Sequence, residues 1–127
     1  MTNYDEIVEI SERLEKVRQE LVPAGGKADT IEGETLRAFD RVVYRWFNDG
    51  DKFSMDEEDY GFVTVKPSVI WLADNGATPE VRKAANEIAS TYTDTDEEYE
   101  ELLLKLAKAV QAIDWSKPTP NNCGDSR

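Results

Sequence analysis

The pattern of residues 29–51, DTIEGETLRAFDRVVYRWFNDGD, predicts an amphipathic helix. At about 100° per residue, its bulky apolar side chains collect on one face. These side chains belong to Leu36, Phe39, Val43, Trp46 and Phe47. Thr30, or Asp29 with Glu32, is suited to cap the N-terminus, and Asn48-Asp49-Gly50 is typical of a left-handed helix end. We therefore expect a helix with defined ends that buries one face.

Three arginines follow the opposite face of this helix. Arg37, Arg41 and Arg45 are spaced i, i+4, i+8, so adjacent guanidinium groups repel each other by roughly a few tenths of a kcal/mol. Glu34 and Asp40 are placed to reach Arg37, whereas the other two arginines need carboxylates from elsewhere. Two interpretations stay open. The row is paired with an acidic helix of the same chain, or its planar guanidinium groups bind a phosphate or carboxylate.

The first twenty residues form a second amphipathic pattern. Residues 3–22 carry apolar side chains at alternating spacings of three and four, which is typical of a helical seam. The seam consists of Ile7, Ile10, Leu14, Val17 and Leu21. It is short for an independent coiled coil, so we expect it to pack within the domain, and a homo-oligomer formed through these five residues is the alternative.

Start and stop signals predict three more helices. Pro67 suits the first turn of a short helix that Asn75-Gly76 ends, and Thr78-Pro79 begins the next. Thr95 and Glu98 form a capping box for the last one. We predict an all-α fold of about five helices in one domain, residues 1–115, followed by a flexible tail, residues 116–127.

Two details complete the predicted fold. The run Phe62-Val63-Thr64-Val65 allows a short β element near 61–65. The predicted core consists of the largest apolar side chains of the central and later helices, namely Leu36, Phe39, Val43, Trp46, Trp71, Leu103, Leu106 and Val110.

Charge is unevenly distributed along the 127 residues. The formal net charge is −12, of which residues 48–59 contribute −5 and residues 94–101 contribute −6. Such a surface repels nucleic acid and anionic lipid, so direct nucleic-acid binding and membrane binding are not expected. It favours a basic protein partner, although solubility alone is a common reason for negative charge. The candidate residues facing that partner are Asp94, Asp96, Glu97, Glu98, Glu100 and Glu101.

Residue types limit the chemistry of the chain. It has one cysteine, Cys123, and no histidine, which excludes Cys/His zinc sites, Ser-His and Cys-His nucleophile pairs and internal disulfides. We predict no catalytic residues, no metal and no cofactor. The longest apolar run, residues 69–73, is too short to cross a bilayer, and no leader precedes the first helix. A cytoplasmic location is therefore expected.

Carboxylates three residues apart provide an enzymatic alternative. Such pairs include Glu9/Glu12, Asp29/Glu32, Glu97/Glu100 and Glu98/Glu101. Two such pairs on facing helices could hold Mg²⁺ for phosphate hydrolysis, with the arginine row balancing the phosphate charge. This pattern resembles the all-helical nucleotide pyrophosphohydrolases, whose metal helices carry Glu-x-x-Glu and then Glu-x-x-Asp. The present sequence has no Glu-x-x-Asp pair, and Asp29-x-x-Glu32 has its acids in the opposite order.

A second resemblance covers residues 26–51. The run Gly26-Lys27-Ala28-Asp29-Thr30-Ile31-Glu32-Gly33-Glu34, continued through the arginine row, is similar to small uncharacterised phage and prophage proteins. That resemblance implies a mobile-element origin and a host cytoplasmic setting. Together with the charge, it favours a non-enzymatic acidic interaction protein, such as an inhibitor or nucleic-acid mimic that binds a basic host protein. The alternatives are a small Mg²⁺-dependent phosphohydrolase or anion-binding protein, and a self-associating assembly protein.

Overall fold

The residues that the structure describes form five α-helices. The computed structural model describes residues 2–21, 28, 30–54 and 65–116. The helices are α1, Asn3–Leu21; α2, Ile31–Asp49; α3, Val65–Asn75; α4, Pro79–Ser90; and α5, Asp96–Gln111. The predicted all-α class is therefore confirmed. Of the proposed β element, Val65 lies in α3 and residues 61–64 lie outside the described ranges, as does the predicted tail beyond residue 116.

Threonines begin four of these helices, because a threonine side chain can accept a hydrogen bond from a free backbone N–H in the first turn. The hydroxyl oxygen of Thr30 accepts from Gly33 N at 2.9 Å, and that of Thr78 accepts from Val81 N at 3.2 Å. Thr2 and Thr95 make the same contact for α1 and α5. The predicted N-terminal signals thus coincide with the observed helix starts.

Glycine ends α2 in the way the sequence predicts. Gly50 has φ +68°, in the left-handed region, and its N–H donates to Trp46 O at 3.0 Å. Asp51 N donates to Arg45 O at 3.1 Å, which completes the helix end. The chain therefore leaves α2 in a fixed direction, toward the start of α5.

The helices enclose one core. In space, α1 contacts α5, α5 contacts α4, α4 contacts α3, α3 contacts α2, and α2 contacts α1, while α2 also touches α5 across the centre. The predicted core residues are buried with one exception, since Trp71 is only partly buried and packs against the edge of the core. The apolar face of α2 therefore packs against three neighbouring helices, α1, α3 and α5.

The α1 seam is largely used inside the domain. Ile7, Ile10 and Leu14 are 0%, 4% and 4% exposed, whereas Val17 and Leu21 are half-buried. Lys108 of α5 approaches Glu6 of α1 with Nζ to Oε2 at 3.9 Å, which places the start of α1 beside the later turns of α5. An oligomer that used the first three seam residues would have to remove them from this core.

A buried hydroxyl joins α2 to the turn between α3 and α4. Thr35 is 0% exposed, and its Oγ1 donates to Ile31 O at 2.8 Å and accepts from Ala77 N at 3.0 Å. Gly76, the neighbour of Ala77, is itself buried, and an added Cβ there would stand 2.7 Å from Leu72 O and from Val81 Cγ1. The close approach at Gly76 explains why the turn needs glycine there. The N–H of Ala77 explains why the turn needs the hydroxyl of Thr35 as a hydrogen-bond acceptor.

We expect Thr35→Val to lower the free energy of unfolding by about 1–3 kcal/mol, because valine keeps the shape but leaves the Ala77 N–H without its acceptor. Urea denaturation measures the loss. Ser90→Ala is the matched control, since Ser90 Oγ also donates to a carbonyl four residues back, Asn86 O at 2.7 Å, but on the exposed side of α4. Its cost should stay within about 0.5 kcal/mol. Equal losses in the two variants would show that the tertiary hydrogen bond of Thr35 contributes nothing.

Candidate functional site

The arginine row lies along the outer face of α2 and finds most of its partners on α2 itself. Arg37 Nη1 lies 3.6 Å from Glu34 Oε2, as predicted from their spacing. Arg45 Nε lies 3.7 Å from Asp49 Oδ2, and Arg45 also pairs with Asp51 just beyond the helix. These carboxylates do not come from another acidic helix. The row is therefore held at its two ends and not along its middle.

Arg41 is the middle residue, and its environment is different. It is half-buried, and within the described ranges it has neither a hydrogen bond nor an ion pair. Burial lowers the pKa of Arg41, the neighbouring Arg37 charge lowers it further, and Glu34 acts in the opposite direction. The guanidinium remains charged, because arginine holds its proton far above neutral pH. A positive charge is thus kept in a partly desolvated position, without an ion pair among the described residues.

A cleft of about 240 Å³ opens between α2 and α3 beside this arginine. Its walls come from one face of α2 and from the first two turns of α3. The lining residues are Glu34, Arg37, Ala38, Arg41, Pro67, Ser68 and Trp71. Arg45 does not line it, so the structure separates the predicted row into two cleft residues and one residue fixed at the end of α2. We call this space the arginine cleft.

Trp71 is a site residue that sequence reasoning assigned to the core. Its indole is half-buried, packs against the core on one side and lines the arginine cleft on the other. The helical spacing of α3 marks its apolar positions but does not reveal that α3 meets α2 beside two arginines. The available signal was the position of Trp71, four residues after Pro67 and so on the same face of α3.

Asp40 also departs from its predicted role. Instead of reaching Arg37, it lines a crevice between α1 and α2 together with Glu15 and Arg18. Much of its surface remains exposed, but its carboxyl group is close enough to the chain for burial to raise its pKa, while Arg18 opposes that rise. Arg18 donates to Glu15 at 3.0 Å, and this hydrogen bond lowers the Glu15 pKa. Arg37 is left with Glu34 alone among the described residues.

The fold joins two acidic segments that are far apart in the sequence. Trp46 Nε1 donates to Glu100 Oε2 at 2.8 Å, and Lys52 Nζ lies 3.6 Å from Asp96 Oδ1. These contacts set the end of α2 against the start of α5. We call the resulting cluster of carboxylates the acidic pole, and its members are Asp49, Asp51, Asp94, Asp96, Glu97, Glu98, Glu100 and Glu101.

Half of the six carboxylates predicted to face a partner also have structural roles. Glu98 Oε1 accepts from Asp94 N at 2.7 Å and from Thr95 N at 3.1 Å, which completes the predicted capping box. Glu100 accepts from the indole of Trp46. Asp96 pairs with Lys52, but its side chain is 73% exposed, so the interaction is weak.

The remaining predicted carboxylates project from the surface of the acidic pole. Asp94, Glu97 and Glu101 are exposed, and their side chains have no hydrogen bond or ion pair within the ranges that the structure describes. Acidic residues in the first turn of α5 are favoured by the positive end of the helix dipole, which explains why the helix tolerates so many of them. These three carboxylates are therefore free to meet a cation in solution.

The carboxylate pairs of the enzymatic alternative do not converge in the described residues. Among those residues, no group of three or more His, Cys, Asp or Glu side chains is placed to hold a metal ion. Glu9 pairs with Arg13 at 2.9 Å on the surface of α1, and Asp29 lies outside the described ranges. Glu32 is buried near the start of α2. Of the pairs that the structure describes in full, Glu9/Glu12 lies on α1, and Glu97/Glu100 and Glu98/Glu101 both lie on α5.

Comparison with known proteins identifies no relative. The chain matches no protein family, no curated protein and no solved structure. Among the helices of the described ranges, none combines the length and the apolarity that a membrane span requires.

Proposed function

We propose that this chain is a non-enzymatic interaction protein that presents its acidic pole to a basic protein partner. The observation that supports this proposal is the meeting of two acidic segments, at the end of α2 and the start of α5, through the Trp46–Glu100 and Lys52–Asp96 contacts. Eight carboxylates share this end of the molecule, and Arg45 and Lys52 are the cations beside them.

Such a concentration of charge acts beyond the range of single ion pairs. At about 0.1 M ionic strength the screening length is about 10 Å, so neighbouring carboxylates of the acidic pole reinforce one another at the surface. A rigid cluster of negative groups can occupy a groove that normally holds a nucleic-acid backbone, because such a groove is lined by lysine and arginine. We therefore propose that the protein acts as an inhibitor or nucleic-acid mimic, in the cytoplasm of a host if the chain is phage-encoded.

A pair of matched variants tests whether the acidic pole or the net charge is responsible. Glu97→Gln with Glu101→Gln removes two exposed charges from the acidic pole. Glu12→Gln with Glu20→Gln removes two exposed charges from α1 and produces the same net charge. Binding to a lysine-rich peptide, measured by fluorescence anisotropy at low and high salt, should weaken about threefold to tenfold in the first variant and by less than twofold in the second.

The same variants can be used in a competition assay with a basic DNA-binding protein. The unaltered chain should displace DNA from that protein, and the acidic-pole variant should need a higher concentration to do so. Affinity should also fall steeply as salt rises. Equal weakening by the two variants, or affinity that does not change with salt, would contradict a localised acidic binding surface.

A further inference from the structure

Arg41 lines the arginine cleft, and in the part of the chain that the structure describes it has no hydrogen bond or ion pair. Arg37 stands one helical turn away, with neighbouring Cβ positions about 5–6 Å apart at this spacing. Both guanidinium groups line the cleft, and Glu34 is the carboxylate beside them. Glu34 is also occupied from the other side, because its Oε1 accepts from Ala28 N at 3.0 Å. Glu34 therefore pairs with Arg37 and accepts from a backbone N–H, and within the described ranges it forms no ion pair with Arg41.

The cleft also provides a flat apolar surface. Trp71 contributes its half-buried indole, with Pro67 and Ala38 on the adjoining walls. Aromatic faces bind planar rings and guanidinium groups through stacking. A volume of about 240 Å³ lies just below the roughly 300–1,000 Å³ typical of ligand clefts, so it suits a small ligand that carries one ring and one charged group.

We propose that the arginine cleft binds a small oxyanion, phosphate or carboxylate, attached to a flat ring. Arg41, which has no ion pair within the described ranges, supplies the first guanidinium group. Arg37 supplies a second donor group, and Trp71 supplies the surface on which the ring stacks. The planar guanidinium fork matches the two oxygens of such an anion, and binding gives Arg41 an ion pair, which it does not have among the described residues. The residues of this site are not those of the acidic pole, so the site is independent of the function proposed above.

Nuclear magnetic resonance titration tests this proposal on the full chain. The ligands are adenosine monophosphate and indole-3-acetate as intact representatives. Inorganic phosphate and adenosine are the separate halves of the first, and acetate and indole are those of the second. We expect at least one intact ligand to shift the Trp71 indole N–H signal and to bind more tightly than its separate halves. The two intact ligands distinguish a phosphate from a carboxylate, and binding by either supports the site.

Three variants connect the binding to named residues. Arg41→Gln should weaken binding about tenfold, the loss of one charge-assisted hydrogen bond. Arg13→Gln changes the net charge equally, but Arg13 lies exposed on α1 and does not line the cleft. The affinity of this variant for the ligand should therefore change by less than twofold. Arg41→Lys keeps the charge without the planar fork and should give an intermediate loss. Unchanged signals of core amides will show that each variant is folded.

Specific results would overturn the proposal. Failure of both intact ligands to bind at concentrations up to about 10 mM, a range that detects even very weak complexes, would exclude the site. Equal losses in Arg41→Gln and Arg13→Gln would assign the binding to general charge. A Trp71 signal that does not respond while other tryptophan signals do would place the ligand elsewhere.

Discussion

Replacing Trp46 with alanine is expected to lower the free energy of unfolding by about 3–5 kcal/mol, the usual cost of removing a large aromatic side chain from a core. Trp46 is 8% exposed, and its ring centroid lies 5.1 Å from that of Tyr99 on α5. The substitution also leaves Glu100 without its indole donor. A domain of this size is stabilised by only about 5–15 kcal/mol, so the melting temperature should fall by roughly 10 °C or more.

Trp46→Phe separates packing from hydrogen bonding in this contact. Phenylalanine keeps an aromatic ring against Tyr99 but cannot donate to Glu100, so we expect a smaller loss of about 1–3 kcal/mol. Urea denaturation monitored by circular dichroism suits both variants, because it does not depend on the fluorescence of the tryptophan removed. A loss below about 1 kcal/mol in Trp46→Ala would mean that α2 and α5 do not depend on this residue.

Local signals made the helices predictable from the sequence. Each helix start that uses Thr30, Thr78 or Thr95 has its acceptor hydroxyl three residues before the N–H that it satisfies, and this relation is visible in the sequence. The end of α2 is equally local, because Gly50 can adopt a positive φ at little cost. The periodic spacing of apolar residues then identified the inward face of α2. This helix contacts α1, α3 and α5.

Contacts between distant segments were not predictable in this way. The role of Thr35 depends on Ala77, and the partner of Trp46 is Glu100, so neither interaction has a signature within one helix. The α1 seam shows the same limit, since its 3,4 spacing describes an apolar face without naming what covers it. Only the packed fold shows that α5 and α2 are its neighbours.

The sequence predicted which charged residues belong to the candidate sites, but not where these residues lie in the fold. The sequence identified the row of Arg37, Arg41 and Arg45, but the cleft exists because α3 packs beside α2 and brings Trp71 to the first two. The acidic segments were likewise visible as runs of carboxylates. Their convergence depends on the packing of the end of α2 against the start of α5, as the Trp46–Glu100 and Lys52–Asp96 contacts show.

Replacing Ile7 with alanine is the second change with a large expected effect, about 2–5 kcal/mol of unfolding free energy. Ile7 is 0% exposed and belongs to the same buried cluster as the apolar residues of α5, so its removal leaves a cavity that the two helices cannot easily close. Val17→Ala, farther along the same seam, is the comparison. Val17 is half-buried, and we expect its truncation to cost about 1 kcal/mol or less.

These two variants also distinguish a seam inside the domain from one that joins two copies. If α1 packs only within its own chain, the loss of unfolding free energy is larger for the more buried residue, Ile7, than for Val17. The melting temperature is then independent of protein concentration. If a second copy covers the seam, Val17 and Leu21 become buried in the complex, Val17→Ala costs as much as Ile7→Ala, and the melting temperature rises with concentration by mass action. Sedimentation velocity on the unaltered chain provides the direct measurement. A concentration-independent monomer together with a large Ile7→Ala loss is the result we expect, because three of the five seam residues already lie in the core of the single chain.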